Sequence, residues 1–155
     1  MVRFEFSESE YPEQDLGHIG ISAKEIVDLT SRRRTVGYWR SDLASGHVYW
    51  SRAVFDIYGM DYTQGPVNLT AAYANVHRED LNLMLELIER AASEKIGFHY
   101  VLRLKNGRDD GFKFVRSVGL YRTTDDGREE LFGNLEEILE RVRLISVFNT
   151  PSATA

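Results

Sequence analysis

The residues best suited to chemistry are a histidine and two acids at the start of a helical pattern. His77 is followed by Glu79 and Asp80, and an imidazole beside carboxylates is common equipment for general acid–base catalysis. The same residues stabilise a helix start without chemistry, because a capping side chain and acids complement the positive end of the helix dipole. We favour this structural role, and an enzyme with His77 and Asp80 as its acid–base pair is an alternative.

A second group of candidate functional residues is aromatic. Tyrosine and tryptophan combine a large apolar surface with one polar group, so a set of them can line a pocket for a small organic molecule. The same set can equally fill a closely packed core, which is the simpler interpretation. The candidate pocket residues are Trp39, Tyr49, Trp50, Phe55, Tyr58 and Tyr73.

The composition excludes several kinds of site. The chain of 155 residues has no cysteine, which removes disulfides, thiolate metal sites and cysteine nucleophiles. Its 4 histidines show no metal-ligand spacing, and no phosphate-binding loop or nucleophile elbow occurs. With 24 acidic and 19 basic residues, the net charge of -5 has the wrong sign for binding a phosphate backbone. We therefore expect no metal ion and no nucleic acid.

The N-terminal sequence, MVRFEFSESEY, carries acids at short intervals and has no apolar run of signal-peptide length. Nor does any stretch of the chain have the length and apolar character of a membrane span. We therefore expect a cytoplasmic protein that does not insert into a membrane.

Periodicity and capping signals predict the helices that would position these residues. Residues 1–21 have no period, which predicts a mobile arm. Ser22 and Glu25 form a capping box at the start of a helix over residues 22–34. Apolar residues at steps of three and four predict the longest helix over residues 78–94.

Two shorter helices are expected between residues 51 and 73. Ser51 can cap the first, which ends where Gly59 supplies a left-handed cap. The second begins at Asn68 or Thr70.

Five segments have the composition or alternation of β-strands and are separated by turn sequences rich in Gly, Ser, Asp and Asn. The order of two strands, short helices, one long helix and three strands is typical of an α+β fold with an antiparallel sheet. The predicted strands cover residues 35–43, 47–50, 98–105, 112–121 and 129–135.

Apolar side chains occupy both alternating sets of the 112–121 strand, so both faces of the sheet are expected to be covered. One face can pack on the helices, and the other needs the 22–34 helix or a second subunit. After the last strand, an apolar stripe predicts a helical extension within residues 138–155. The residues expected at a dimer or partner surface are Ile26, Val27, Phe114, Val118, Leu120, Ile138 and Val142.

Three short motifs resemble those of PAS domains in bacterial signalling proteins, of the type called PAS fold-3. They are a Gly-x-Trp-x-x-Asp first strand, a Tyr-Trp-Ser helix start and a Val-His-x-x-Asp helix entry, and the resemblance extends over about two thirds of the chain. The matching positions are Gly37, Trp39, Asp42, Tyr49, Trp50, Ser51, Val76, His77 and Asp80.

The resemblance implies a five-stranded antiparallel sheet cradled by helices, with the PAS domain at residues 35–137. Two features differ from the pattern of this PAS subfamily, and both concern how a signal would pass to an effector domain. Residues 137–139 read Glu-Ile-Leu where this subfamily usually has the coupling sequence Asp-Ile-Thr, and the chain ends at Ala155 without an effector domain. We therefore expect a stand-alone, non-catalytic module of two-component regulation. It binds a regulatory protein such as a sensor histidine kinase and forms a homodimer.

The first alternative function is a small-molecule sensor whose aromatic-lined pocket selects an organic ligand and shifts that association. The acid–base enzyme is the second alternative. We expect no haem or flavin, because haem-binding PAS domains carry a histidine in the long helix and none lies between Leu81 and Glu94. A covalent flavin adduct would need a cysteine.

Overall fold

A computed structural model describes residues 14–32, 34–107, 111–138 and 145–149. The chain divides into two compact units, Met1–Arg33 and Arg34–Ala155. The first contains a 3-10 turn, Gly17–Ile19, and helix α1, Ala23–Ser31. The capping box predicted for α1 is confirmed, because the Ser22 hydroxyl accepts the Glu25 N–H and the Glu25 carboxylate accepts the Ser22 N–H.

The described residues of the second unit form one five-stranded sheet and three helices. Every pair of neighbouring strands is antiparallel, and the strand order is β2-β1-β5-β4-β3. The predicted α+β architecture is therefore confirmed. In chain order the elements are β1 Val36–Asp42, β2 Val48–Trp50, α2 Arg52–Tyr58, α3 Leu69–Tyr73, α4 Arg78–Glu94, β3 Phe98–Lys105, β4 Phe112–Thr123 and β5 Glu129–Ile138.

All three helices of this unit contribute to one core on one face of the sheet. Phe55 of α2, Ala72 of α3 and Met84 of α4 belong to the same buried cluster as Leu104 and Val115. Burying a large apolar side chain contributes about 1.5–3 kcal/mol relative to leaving it exposed. Leu104 is one of the alternating apolar residues of β3, so the apolar face of this strand enters the core, as its alternation predicts.

The turn and cap residues position the short helices. Gly59 ends α2 in the left-handed conformation, with φ of 67°, which a residue without a Cβ adopts at little cost. Asn68 begins α3 by accepting the Ala71 N–H. Ser51 precedes α2, but the prediction that its side chain caps this helix is wrong. Its hydroxyl accepts the Tyr38 N–H of β1 at 2.9 Å instead, which ties the start of α2 to the sheet.

Strand β5 continues past the predicted end of its strand pattern. Ile138, expected on a helical stripe, is a strand residue opposite Phe114 because β4 extends alongside it and supplies pairing partners. Ile145 lies outside any helix or strand and is 98% exposed, so the helical extension is not found at these two positions. Val142 lies outside the described residues.

The second face of the sheet is open in this unit. Phe112, Phe114, Val118 and Leu120 of β4 are 40–52% exposed. The described helices of this unit all pack on the opposite side, so cover of this face by the 22–34 helix or by a second subunit stays a prediction. None of the helices described here is long and apolar enough to cross a membrane.

Candidate functional site

The interior between the sheet and the helices contains most of the predicted pocket residues. The Trp50 ring centroid lies 5.1 Å from that of Phe55 and 4.5 Å from that of Tyr58. Trp39 and Tyr73 pack against the same core. The structure thus brings together five of the six predicted residues as an aromatic core.

Tyr49 is the sixth predicted pocket residue and lies apart from this cluster. Because side chains alternate along a strand, Tyr49 faces away from the core that Trp50 enters. Its ring contacts the guanidinium group of Arg40, whose Cζ is 4.6 Å from the ring centroid. Tyr49 therefore belongs to the outer face of the sheet and not to the interior set.

The interior also contains a hydrogen-bond network that the sequence analysis missed. The Trp39 indole N–H donates to the Ser117 hydroxyl at 3.2 Å and to the Asn134 carbonyl at 3.0 Å. Ser117 donates to the same carbonyl at 2.6 Å and forms a hydrogen bond with the Tyr100 phenol. A signal for Ser117 was available, since it is a polar residue between Val115 and Gly119 in the inward set of β4.

Three phenol groups from different elements are close enough to influence one another in this interior. Burial raises the pKa of Tyr100 to about 12, despite the opposing hydrogen bond with Ser117. Burial also raises the pKa of Tyr73, and it raises that of Tyr58 well above its usual value, with further contributions from Tyr100 and Tyr73. All three phenols therefore stay protonated at neutral pH, as hydrogen-bonding groups rather than bases.

His77 and Asp80, the acid–base candidates, make structural contacts. His77 Nδ1 accepts the Glu79 N–H at 3.1 Å, and its ring packs 4.5 Å from that of Phe112. Asp80 accepts the N–H and side-chain donors of Arg103, with Oδ1 2.7 Å from Nη2. These contacts attach the start of α4 to β3. In the described part of the chain, no group of three or more histidines and carboxylates is arranged to hold a metal ion.

The electrostatics of the Asp80 contact agree with this structural role. Hydrogen bonds from the Arg103 side chain lower the pKa of Asp80 more than its partial burial raises it. Asp80 therefore remains ionised at neutral pH and cannot act there as a proton donor.

The predicted partner surface lies partly on the outer face of the sheet. Phe114, Val118 and Leu120 are 52%, 40% and 50% exposed. Ile138 lies opposite Phe114 and so extends the same surface onto β5. Of the other predicted members, Ile26 and Val27 are in α1 of the first unit, where Val27 is 54% exposed, and Val142 lies outside the described residues.

A groove on the outer face is a further feature that the sequence analysis missed. It has a volume of about 310 Å³, is open to solvent, and is lined by residues of four strands. Beside it, the Glu130 carboxylate is only 2% exposed and contacts Arg40 and Arg122, with N···O distances of 2.7 Å and 3.4 Å. The hydrogen bond from Arg40 lowers the pKa of Glu130, and the charges of both arginines lower it further.

Comparison with known proteins identifies the fold. No protein-family model matches the chain, and no curated protein matches its sequence. A domain of a histidine kinase from Haloarcula marismortui matches with a TM-score of 0.58 and 19% identity, over 75% of this chain and 99% of that one. The PAS domain of a protein from Colwellia psychrerythraea matches with a TM-score of 0.53 and 13% identity, over 75% and 99%.

An RNA-binding light-oxygen-voltage receptor has a TM-score of 0.59 and 14% identity to this chain. The match covers 72% of this chain but only 31% of the receptor, so it concerns one part of a larger protein. At these identities the likeness establishes architecture, which is the one that the three sequence motifs predicted. The chain has a PAS fold.

Proposed function

We propose that this chain is a non-catalytic signalling module that binds a regulatory protein, such as a sensor histidine kinase, and also self-associates. The observation that carries the proposal is the exposed apolar surface of β4, formed by Phe114, Val118 and Leu120. The fold supports it by analogy, because matching domains come from histidine kinases.

The position of this apolar surface favours a protein partner. Val101 of the neighbouring strand β3 is 46% exposed and widens it. Contiguous exposed apolar surface is typical of protein–protein contacts. Covering it would remove these side chains from water and so favour association.

The test measures binding of purified sensor histidine kinases to the purified chain, and the kinases' autophosphorylation rate with and without it. We expect the double substitution Phe114→Ser/Leu120→Ser to weaken both kinase binding and self-association at least about tenfold. Leu83→Ser is the matched control, since Leu83 is 37% exposed on α4, and it should leave both unchanged. The proposal fails if the double variant binds like the parent chain.

Self-association is measured separately by light scattering. A homodimer should scatter with twice the chain mass of 17.8 kDa at high micromolar concentration, and the double variant should scatter as a monomer. A parent chain that stays at the single-chain mass under these conditions contradicts the dimer.

A small-molecule sensor is the second candidate function, and the interior polar groups favour it. Tyr58, Tyr73, Tyr100 and Ser117 place hydroxyl groups among apolar side chains, which is the usual design of a site for a small organic ligand. Native mass spectrometry of the purified chain tests it. A retained organic molecule that is lost in Ser117→Val would favour the sensor.

The purified chain is also expected to be colourless. A visible absorption band that stays with the protein through gel filtration would show a bound chromophore such as haem or flavin. That result would place the sensor function ahead of partner binding.

A further inference from the structure

The groove on the outer face is built by cross-strand neighbours. Tyr49 of β2 pairs with Arg40 of β1, which pairs in turn with Phe132 of β5. Tyr38 and Arg122 complete the outward-facing lining. Among the described residues that line this groove there are two arginines and no acid.

Both arginines of the groove lie over aromatic rings. The guanidinium carbon of Arg40 is 4.6 Å from the Tyr49 centroid, and that of Arg122 is 4.2 Å from the Phe132 centroid. Such contacts are favourable because the ring face is electron-rich. They also hold long side chains in place before any ligand binds, which lowers the entropy cost of binding.

The two arginines of the groove share one ion-pair partner. Glu130 is the one carboxylate that both Arg40 and Arg122 contact in the described structure. Each guanidinium carries five N–H donors, and the contacts with Glu130 use one nitrogen of each. Both arginine side chains are also accessible, at 34% and 44% exposed.

Asp42 lies opposite Glu130 in the strand register. Its charge acts on Arg40, but the two form no ion-pair contact in the described structure. Asp42 Oδ1 accepts the N–H groups of Ala44 and Ser45 in the turn after β1. These two hydrogen bonds are the main reason that the pKa of Asp42 is lowered. The Asp42 carboxylate is thus hydrogen-bonded within the turn after β1.

We propose that the groove binds a carboxylate side chain in an acidic, aromatic-containing segment of the partner protein. A second carboxylate matches the remaining planar donors of the two guanidinium groups, and the aromatic walls suit an aromatic side chain next to it. A second copy of the same groove would set guanidinium groups against guanidinium groups and offer no carboxylate to these donors. The inference rests on the proposed partner-binding function and names the chemistry of the segment.

Binding of short peptides to the full chain, labelled with ¹⁵N, tests the inference. The probe is the capped peptide Ala-Glu-Phe-Glu-Ala, and the matched probe has glutamine in place of both glutamates. We expect the glutamate peptide to shift the Nε–Hε signals of Arg40 and Arg122 and the glutamine peptide to bind at least about tenfold more weakly. Binding should also weaken with added salt, because the pair is accessible to solvent.

Substitutions test whether the peptide binds at the groove. Arg122→Gln should weaken peptide binding at least about tenfold, and Arg122→Lys, which keeps the charge but not the planar donors, should lie between the two. Arg116→Gln is the matched control. Arg116 is also on β4 and is 45% exposed, but it contacts Glu136 at the other end of the face, so the affinity should stay within about twofold.

Several results would overturn the inference. They are equal binding of the glutamate and glutamine peptides, equal losses in Arg122→Gln and Arg116→Gln, no binding at millimolar peptide, and equally strong competition by inorganic phosphate. If the peptide does not bind while kinase binding still depends on Phe114 and Leu120, the inference fails and the proposed function stands. If the peptide binds as expected but kinase binding does not occur, the proposed function fails by itself.

Discussion

The indole N–H of Trp39 on β1 donates to the main-chain carbonyl of Asn134 on β5, with 3.0 Å between Nε1 and O. Ser117 of β4 donates to the same carbonyl. The Asn134 side chain accepts the Val118 N–H through Oδ1 at 3.0 Å. Side chains from three central strands therefore take part in the pairing of β4 with β5, next to the aromatic core.

Replacing Trp39 by phenylalanine should destabilise the fold by about 1–3 kcal/mol, because it removes a hydrogen bond and leaves a void. Trp50→Phe is the control, since Trp50 packs on Phe55 and Tyr58 and its indole makes no such hydrogen bond with any residue that the structure describes. Urea unfolding of both variants measures the difference. A Trp39→Phe cost no larger than the Trp50→Phe cost would contradict the role given to the indole N–H.

Gly133 should not tolerate alanine. A Cβ at this position would lie 2.0 Å from the Val118 carbonyl oxygen and 2.9 Å from Trp39 Cζ2, so the paired strands would have to move apart. We expect a loss of about 3 kcal/mol or more. At Gly65 an added Cβ would have Thr63 Oγ1 as its nearest neighbour, at 3.6 Å, and Gly65→Ala should change stability by less than about 0.5 kcal/mol. Thermal unfolding of the two variants compares them, and similar melting temperatures would contradict the close approach of β4 and β5.

Glu130 should contribute to stability in a pH-dependent way. Its pKa is lowered in the folded state, chiefly by Arg40. The contribution is therefore present above the pKa of the unfolded chain and is lost as the pH falls through the folded pKa. Glu130→Gln should cost about 1–2 kcal/mol at neutral pH.

The cost of Glu130→Gln should shrink as the solution is made acidic, below the usual carboxyl pKa of about 4.3. Urea unfolding at several pH values measures it, with Glu89→Gln as the control because Glu89 is exposed on α4. A cost that is independent of pH would show that the carboxylate charge does not matter.

Removing the Arg103 side chain should raise the pKa of Asp80. The hydrogen bonds and charge of Arg103 lower it in the folded chain, so Arg103→Gln should move it up toward the ordinary value. Carboxyl NMR titration of the parent and variant measures the change. Arg103→Lys, which keeps the charge, should give an intermediate pKa. An unchanged Asp80 pKa in Arg103→Gln would contradict the attachment of α4 to β3 through this pair.

Replacing the acid of this pair, in Asp80→Asn, should loosen the first turn of α4. Asp80 accepts the main-chain N–H of Arg103 as well as its side-chain donors, so the carboxylate links the helix start to the strand. Amide hydrogen exchange in the first turn of α4 should therefore be faster in Asp80→Asn than in the parent. Equal exchange rates would indicate that the helix start is held by the His77 cap alone.

Local features of the fold could be predicted from the sequence because their partners are close along the chain. Ser22 and Glu25 cap α1 across three residues, and Gly59 ends α2 by its own conformation. The alternation in β3 predicted which of its residues are buried. The pattern of β4 also placed Phe114, Val118 and Leu120 on one face, which the strand geometry confirms.

The candidate sites depended on partners that are far apart in the chain. Arg40 lies near Glu130 and Arg122 only because β1 and β4 both pair with β5. The order of the strands in the sheet cannot be predicted from the composition of any one strand. The same applies to the Trp39, Ser117 and Asn134 network. Hence the groove and the interior polar network could not be predicted from local patterns.

Strand register, and competition between helix and strand for the same residues, account for the remaining differences between the predictions and the structure. Tyr49 and Trp50 must face opposite sides of β2, but which of them enters the core depends on how β2 pairs with β1. Ile138 fits a helical stripe in the sequence, yet β4 offers it a strand partner in Phe114. Residue types and spacing thus set the helices, the strands and the apolar faces. The pairing of strands that are distant in the chain determined the candidate sites, because strand register depends on which side chains the assembled sheet buries.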